Sequence, residues 1–226
     1  MTRTQKKEGR RAAIIAAAEV LIRKTRGTDF TMKDLAVQAG LSTATTYNLI
    51  GTKSTVLYIL LNQAIQDLHR GLPPCPPGTA PGKHVEKIAK TASHFFADDP
   101  DFYRPLMRYL LGVLDPVNRP IFMLRAYEFW LSGIERLDKA ELSERGIDPR
   151  DIARVLHLMF AGVLDVWVHE ELDAHQFEAQ VYQGMAFVLL ALNDEPDPAL
   201  LNKIVRARKI TQPAFDAPKA RLVRAD

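Results

Sequence analysis

A single cysteine, Cys75, stands among 226 residues. That excludes an internal disulfide and any cysteine-based zinc centre, because each needs more than one thiol from the chain. Long hydrophobic runs are missing too: nothing approaches the roughly 18 uncharged apolar residues of a membrane helix. The basic start, Met1 to Arg11, leads into an alanine-rich stretch broken by Glu19 and Arg23 rather than into a secretory core. A cytoplasmic, reducing environment is the expectation. There is no Gly-rich phosphate loop, no Gly-x-Ser-x-Gly elbow, no His-Glu-x-x-His and no thiol pair, so neither an enzyme nor a cofactor is expected. His94 and Asp98 have metal-ligand chemistry at helical spacing but no evident third ligand, and no metal is expected. Strand-like alternation bounded by hairpin signals is also lacking.

What is present fits a folded globular chain, with 47% hydrophobic and 25% charged residues. The net charge of +3 is unevenly spread. Residues 1–53 carry ten Lys/Arg against four Asp/Glu, residues 54–199 thirteen against twenty-one, and residues 200–226 seven against two. A basic head on an acidic body is the asymmetry expected when one end meets a polyanion.

Apolar residues recur at three- and four-residue steps, and the chain reads as all-α. A first helix spans about Lys7 to Lys24, with Ile14, Ala18 and Leu21 on one face, and ends near Gly27. Thr31 caps a short second helix that stops at Gly40, with Asp34 completing a capping box. Ser42 opens a third, to about Asn48, and a fourth runs from Lys53 with Leu57, Leu60, Leu61, Ala64 and Leu68 inward. Residues 71–82 hold five prolines and three glycines and form a loop. Beyond it the pattern predicts helices at about 83–97, 100–114, 117–142, 148–169 and 173–192. The stripe of the helix at 148–169 is read as Ile152, Val155, Met159, Val163 and Trp167. A basic tail from residue 200, holding Lys203, Arg206, Arg208 and Lys209 and then Lys219, Arg221 and Arg224, is expected to be solvated and partly disordered.

The informative segment is Thr31 to Lys53. Leu35, Ala36 and Ala39 face inward, Gly40 permits a left-handed turn, Leu41 plugs the corner and a second helix starts at Ser42. That is the grammar of a helix-turn-helix. Its second helix places Thr43, Ala44, Thr45, Thr46 and Tyr47 near an N-terminal half that can approach base edges and phosphates. Thr31, Ser42 and Lys53 stand at helix starts, where free N–H groups favour an anion, and Lys33 adds charge beside them. Tyr47 also suits a half-buried packing role, and Lys53 a solvated surface. Arg3, Lys6, Lys7, Arg10 and Arg11 suit either a minor-groove arm or a solubilising tail.

Residues 10–60 resemble the N-terminal region of the TetR family of bacterial transcriptional regulators. The likeness rests on the Ala-rich first helix, the Thr-led second helix with Leu35-Ala36 and Ala39-Gly40-Leu41-Ser42, and Thr45, Tyr47, Lys53 and Leu57 at the family's spacing. One stretch departs: Leu49-Ile50 stands where the family commonly has an aromatic pair. The resemblance implies a three-helix DNA-binding domain (residues 1–53), joined by a long helix to a helical effector-binding and dimerisation domain (54–199), followed by the basic tail (200–226). It implies that Thr45, Tyr47 and Lys53 contact an operator, and that Thr43 and Ala44 occupy variable base-reading positions.

The large and flexible side chains of the body, Phe102, Met107, Leu110, Met123, Tyr127, Trp130, Met159 and Val163 among them, then line either a core or a pocket for a small apolar or aromatic effector. The helices near 149–169 and 173–192 carry small residues, Ala161, Gly162, Gly184 and Ala186, and resemble the family's homodimer pair. The implied function is a dimeric repressor released from a palindromic operator by its effector. The competing reading is a helical apolar-ligand-binding protein or enzyme without specific DNA binding, and dependence of DNA binding on the third helix separates the two.

Overall fold

The computed structural model describes residues 2–135, 146–191 and 197–222. Among them are ten helices and no strand: α1 (Arg3–Thr25), α2 (Met32–Gln38), α3 (Thr43–Ile50), α4 (Lys53–Arg70), α5 (Pro81–Ala97), α6 (Pro100–Gly112), α7 (Asn118–Ile134), α8 (Pro149–Val168), α9 (Ala174–Ala191) and α10 (Pro198–Leu222). The all-α expectation therefore holds over the described residues. The part of the predicted 117–142 helix beyond Glu135, and Leu192 and Pro196, lie outside them. No described helix is long and apolar enough to cross a membrane.

Two compact units divide the chain. The first comprises residues 1–67 and 99–122, the second residues 68–98 and 123–226. The resemblance ends the DNA-binding domain at residue 53; the first compact unit runs on through residue 67 and takes in residues 99–122. Leu57, Leu60, Leu61 and Ala64 of α4 are buried, and α6 packs on α1, so both helices complete the core of the first unit. The covalent connections within helices are α4, which leaves that unit after Asp67, and α7, which leaves it after Phe122.

In the first unit, α1 begins four residues earlier than its apolar pattern suggests. Thr2 Oγ1 accepts from Gln5 N–H at 3.3 Å while Gln5 Oε1 accepts from Thr2 N–H at 2.8 Å, a reciprocal cap. The helix ends on Arg26 in the left-handed region, φ 49°, and not on Gly27. Ile14, Ala17, Ala18 and Ile22 form its buried face, with Leu21 only half-buried. At its C-terminal end, Arg23 donates to Asp99 at 2.7 Å and to Glu19 at 3.3 Å, and its guanidinium lies 4.4 Å from the Phe102 ring centroid. Arg26 pairs with Asp101 at 3.0 Å. The start of α6 is thereby tied to the end of α1. Farther along, Tyr109 on α6 donates to Ser54 Oγ at 3.0 Å and meets the Tyr58 ring edge-on, tying α6 to α4.

The second unit is built on an aromatic cluster. Phe96, Phe129, Trp130, Phe160, Trp167 and Phe177 meet in successive ring pairs with centroids 5.0–5.8 Å apart, the offset and edge-on range that aromatic pairs favour. His84 Nε2 lies 3.1 Å from the Gly133 carbonyl, joining α5 to α7. Gly133 passes directly over Ile88, where a Cβ has no room. Asp148 accepts from Arg150 N–H at 2.8 Å to cap α8, and Asp173 with Gln176 caps α9 reciprocally.

Two expectations change here. The buried face of α8 is Ile152, Ala153, Leu156, His157, Phe160, Leu164, Trp167 and Val168. Val155 is exposed, and Met159 and Val163 are only half-buried, so the expected stripe is rotated. The sequence offers two apolar faces on this helix, and Phe160 packs into the cluster against Phe96, Trp130 and Phe177. The basic tail is also not loose: α10 buries Leu200, Ile204, Ala207 and Thr211 and packs on α9. That four- and three-residue spacing makes one apolar row, and burying a Leu or Ile contributes roughly 1.5–3 kcal/mol. The buried row ends at Thr211, before Pro213 and Pro218.

Candidate nucleic-acid interface

The helix-turn-helix is fixed by local chemistry. Thr31 Oγ1 accepts from Asp34 N–H at 3.1 Å, and Asp34 Oδ2 accepts from Thr31 N–H at 2.8 Å and from its hydroxyl at 2.7 Å. These bonds to Thr31 hold the Asp34 carboxyl below its ordinary pKa. Met32, Leu35 and Ala36 of α2 turn inward. Gly40 then takes φ 66°, in the left-handed region where glycine alone is unstrained, and Leu41 N–H returns to the Ala36 carbonyl at 2.9 Å. Ser42 Oγ accepts from Thr45 N–H at 3.1 Å, which caps α3 and spends one of its free N–H groups.

Helical geometry sorts α3 into two faces. Thr46 and Ile50 are buried; Thr43, Ala44, Tyr47 and Asn48 are exposed; Thr45 and Leu49 lie between. Thr46 is therefore removed from the contact face. It is fully buried, and its hydroxyl donates to the Ser42 carbonyl at 3.1 Å. Four residues from Ser42 on the helix, it points back to the turn and supports it. Thr45 shares its hydroxyl with Ser42 at 2.8 Å. Tyr47 is half exposed. Asn48, one turn from Ala44, also stands on the exposed face, a residue the sequence pattern does not single out. The signal is its four-residue offset from Ala44, and its amide has both a donor and an acceptor.

Of the flanking groups, Thr31 and Lys33 are exposed. Lys53 is half-buried: Nζ donates to the Thr28 carbonyl at 2.9 Å and lies 5.7 Å from the Phe30 ring centroid. Two ammonium N–H groups remain beyond that bond, on a side chain held in one direction. Every residue of α1 from Arg3 to Ala13, including Lys6, Lys7, Arg10 and Arg11, is exposed.

The eight pocket candidates divide between the units. Phe102, Met107 and Leu110 are buried in the first. In the second, Trp130 is buried in the aromatic cluster against Phe129 and Phe160. Tyr127 stands edge-on to His157, 6.4 Å between centroids, while Met123, Met159 and Val163 are half-buried. Burial holds the His157 pKa below its ordinary 6.5. His94 meets the Glu178 carboxylate at 3.3 Å rather than Asp98.

No family model matches the sequence, and no curated protein matches it either. Solved structures do match. SmeT, the repressor of the Stenotrophomonas maltophilia multidrug efflux pump SmeDEF, is 20% identical with a TM-score of 0.60, the match covering 83% of this chain and 97% of SmeT. A TetR-family transcriptional regulator from Streptomyces coelicolor is 17% identical with a TM-score of 0.57, covering 90% of each chain. A SmeT–triclosan complex matches at 19% identity and a TM-score of 0.55, over 85% of this chain and 94% of that one. An all-helical chain whose N-terminal unit holds a capped helix-turn-helix, matched over most of its length by these regulators, has the fold of the TetR-family transcriptional regulators.

Proposed function

We propose that this protein is a sequence-specific, DNA-binding transcriptional regulator that acts as a homodimeric repressor in the cytoplasm and is released from a palindromic operator by a small apolar or aromatic effector. The observation that carries the reading is the exposed face of α3. Thr43, Ala44, Tyr47 and Asn48 stand outward on a helix capped at Ser42, in a chain whose fold is that of known regulators. Such a face offers a methyl, hydroxyls and an amide to base edges in a major groove, while Thr31, Lys33, Ser42, Thr45 and Lys53 stand where phosphates are met. Enzymatic activity has no part in this reading.

One short helix reads few bases, so specificity requires two, about 34 Å apart on successive turns of the duplex. The adjacent helices α8 and α9 supply the dimer face in this reading. Val155, Leu158 and Gly162 of α8 and Phe187 of α9 are exposed, an apolar face with small residues for close approach. SmeT has been seen in complex with triclosan. By analogy, the effector of this chain is an apolar or aromatic small molecule, contacting Met123, Tyr127, Trp130, Met159 and Val163 of the second unit. Release is linkage. An effector that prefers a conformer with mis-spaced recognition helices lowers operator affinity by the ratio of its two affinities, and DNA lowers effector affinity equally. A coupling of about 1–3 kcal/mol gives roughly 5- to 150-fold release. Titrations showing effector and operator to bind independently would overturn that mechanism.

The reading is tested by selecting bound fragments from sheared host DNA at physiological salt with wild type and a Thr43→Ala, Tyr47→Ala variant. Recovery of a few palindromic sites by wild type alone is the expected result. Enrichment of no site by either protein, with and without candidate effectors, would sink it.

A further inference from the structure

The first three turns of α1 carry a pattern that the packing of the unit does not use. Along the helix, residues 3, 7, 10, 14 and 17 alternate steps of four and three and so fall in one row. At Ile14 and Ala17 that row is apolar and buried. Before Ile14 it is Arg3, Lys7 and Arg10, with Lys6 alongside, four residues from Arg10. All four cations are exposed. Glu8, the one acid in this stretch, is offset by two residues from Lys6 and Arg10, on the opposite side of the helix. Arg11 lies to one side, in a groove with Ile15, Ile50 and Ile59. The face that packs against the unit's core is thus continued, past the core, as a cationic face.

This arrangement works against the helix that bears it. Arg3/Lys7 and Lys6/Arg10 are like charges four apart, Arg3/Lys6 and Lys7/Arg10 three apart, and each spacing is repulsive on a helix. The first turn holds no acid, so cations crowd the positive end of the helix dipole. A polyanion along the row reverses every one of these terms. From Arg3 to Arg10 the rise is about 10 Å, roughly three base-pair steps of a duplex.

We propose that Arg3, Lys6, Lys7 and Arg10 form a second contact with duplex DNA, on the sugar–phosphate backbone flanking the bases met by α3. The proposal rests on the DNA-binding reading above. It is favoured over an RNA or a lipid surface because the row belongs to the unit that carries the helix-turn-helix. Such contacts add affinity without sequence preference.

The test measures binding of the full chain to a 40-base-pair random-sequence duplex by fluorescence anisotropy between 50 and 200 mM KCl. Three proteins are compared: wild type, an arm variant (Arg3→Gln, Lys6→Gln, Lys7→Gln, Arg10→Gln) and a control with equal charge loss elsewhere (Arg150→Gln, Arg206→Gln, Arg208→Gln, Lys209→Gln). Glutamine keeps helix propensity, so the arm stays helical. Each phosphate contact contributes about 0.9 to the slope of log affinity against log salt. Four contacts therefore make wild type lose about 100-fold more affinity over that range than the arm variant. The control should follow wild type, and Arg3→Lys with Arg10→Lys should preserve the slope.

Equal slopes for wild type and arm variant would overturn the proposal. So would equal losses in arm variant and control, which would make net charge the cause. Arm-dependent binding to single-stranded RNA or to phosphatidylglycerol vesicles, without arm-dependent binding to the duplex, would overturn it in favour of those partners. Failure here is distinguishable from failure of the function proposed above, because fragment selection depends on Thr43 and Tyr47 whatever the arm does.

Discussion

Thr45, Thr46 and Tyr47 are neighbours in sequence and suit a groove equally well by composition, yet one turn of helix assigns them different work. Tyr47 faces out, Thr45 is shared with the cap at Ser42, and Thr46 is buried with its hydroxyl on the Ser42 carbonyl. Replacing Thr46 by Val keeps the shape and deletes that bond, at a cost of about 1 kcal/mol of stability. Sequence preference should not change. Denaturant unfolding and fragment selection on the same variant check both halves, and an altered set of selected sites would return Thr46 to the contact face. Thr43→Ala is expected to do the reverse: little effect on the unfolding midpoint and a changed preference at one base position.

Among the elements, α5, α7 and α8 show how tightly the second unit is built. On α7, Gly133 passes over Ile88 of α5. In Gly133→Ala the helix gains up to about 1 kcal/mol of propensity, while forcing a methyl into that contact costs about 1–3 kcal/mol of overpacking. Net destabilisation is expected as a lowered thermal midpoint, and a rise would show that Ile88 moves aside freely. On α8, burial disfavours the charged form of His157. Its folded pKa lies below the unfolded 6.5, so its contribution to stability is complete above that pH and is lost as pH falls through the folded value. Wild type should therefore lose more stability between pH 7.5 and 5.5 than His157→Leu, as read from urea midpoints at each pH. Parallel curves would mean that His157 is not the group responsible.

For the molecule as a whole, the proposed dimer makes the strongest claim. A chain of 25.4 kDa whose exposed Leu158 and Phe187 meet a second copy should sediment at twice that mass. Leu158→Glu with Phe187→Glu places charges at the contact and should give a folded monomer whose affinity for a selected palindrome falls at least 100-fold while helicity by circular dichroism is kept. Sedimentation of the variant as a dimer would move the interface elsewhere. The same two helices have their opposite faces in the aromatic cluster, so a substitution on the buried side would confound folding with assembly; exposure is what makes the choice of residues informative.

The sequence determined what depends on near neighbours. Caps at Thr31, Ser42, Asp148 and Asp173, the left-handed turn at Gly40 and the proline-rich break after Arg70 each follow from a few consecutive residues, and all appear where the pattern places them. Tertiary packing decided the rest. Which of two apolar faces of α8 is buried depends on the position of Phe160 in a cluster drawn from four helices. The basic segment after residue 200 is a helix because Leu200 and Ile204 find a partner in α9, distant in burial pattern though near in sequence. The extent of the N-terminal unit follows from α6 packing against α1 and bonding to α4. Local hydrogen bonds are encoded at separations of three or four residues, where sequence reading is strong; burial depends on what arrives from elsewhere in the chain.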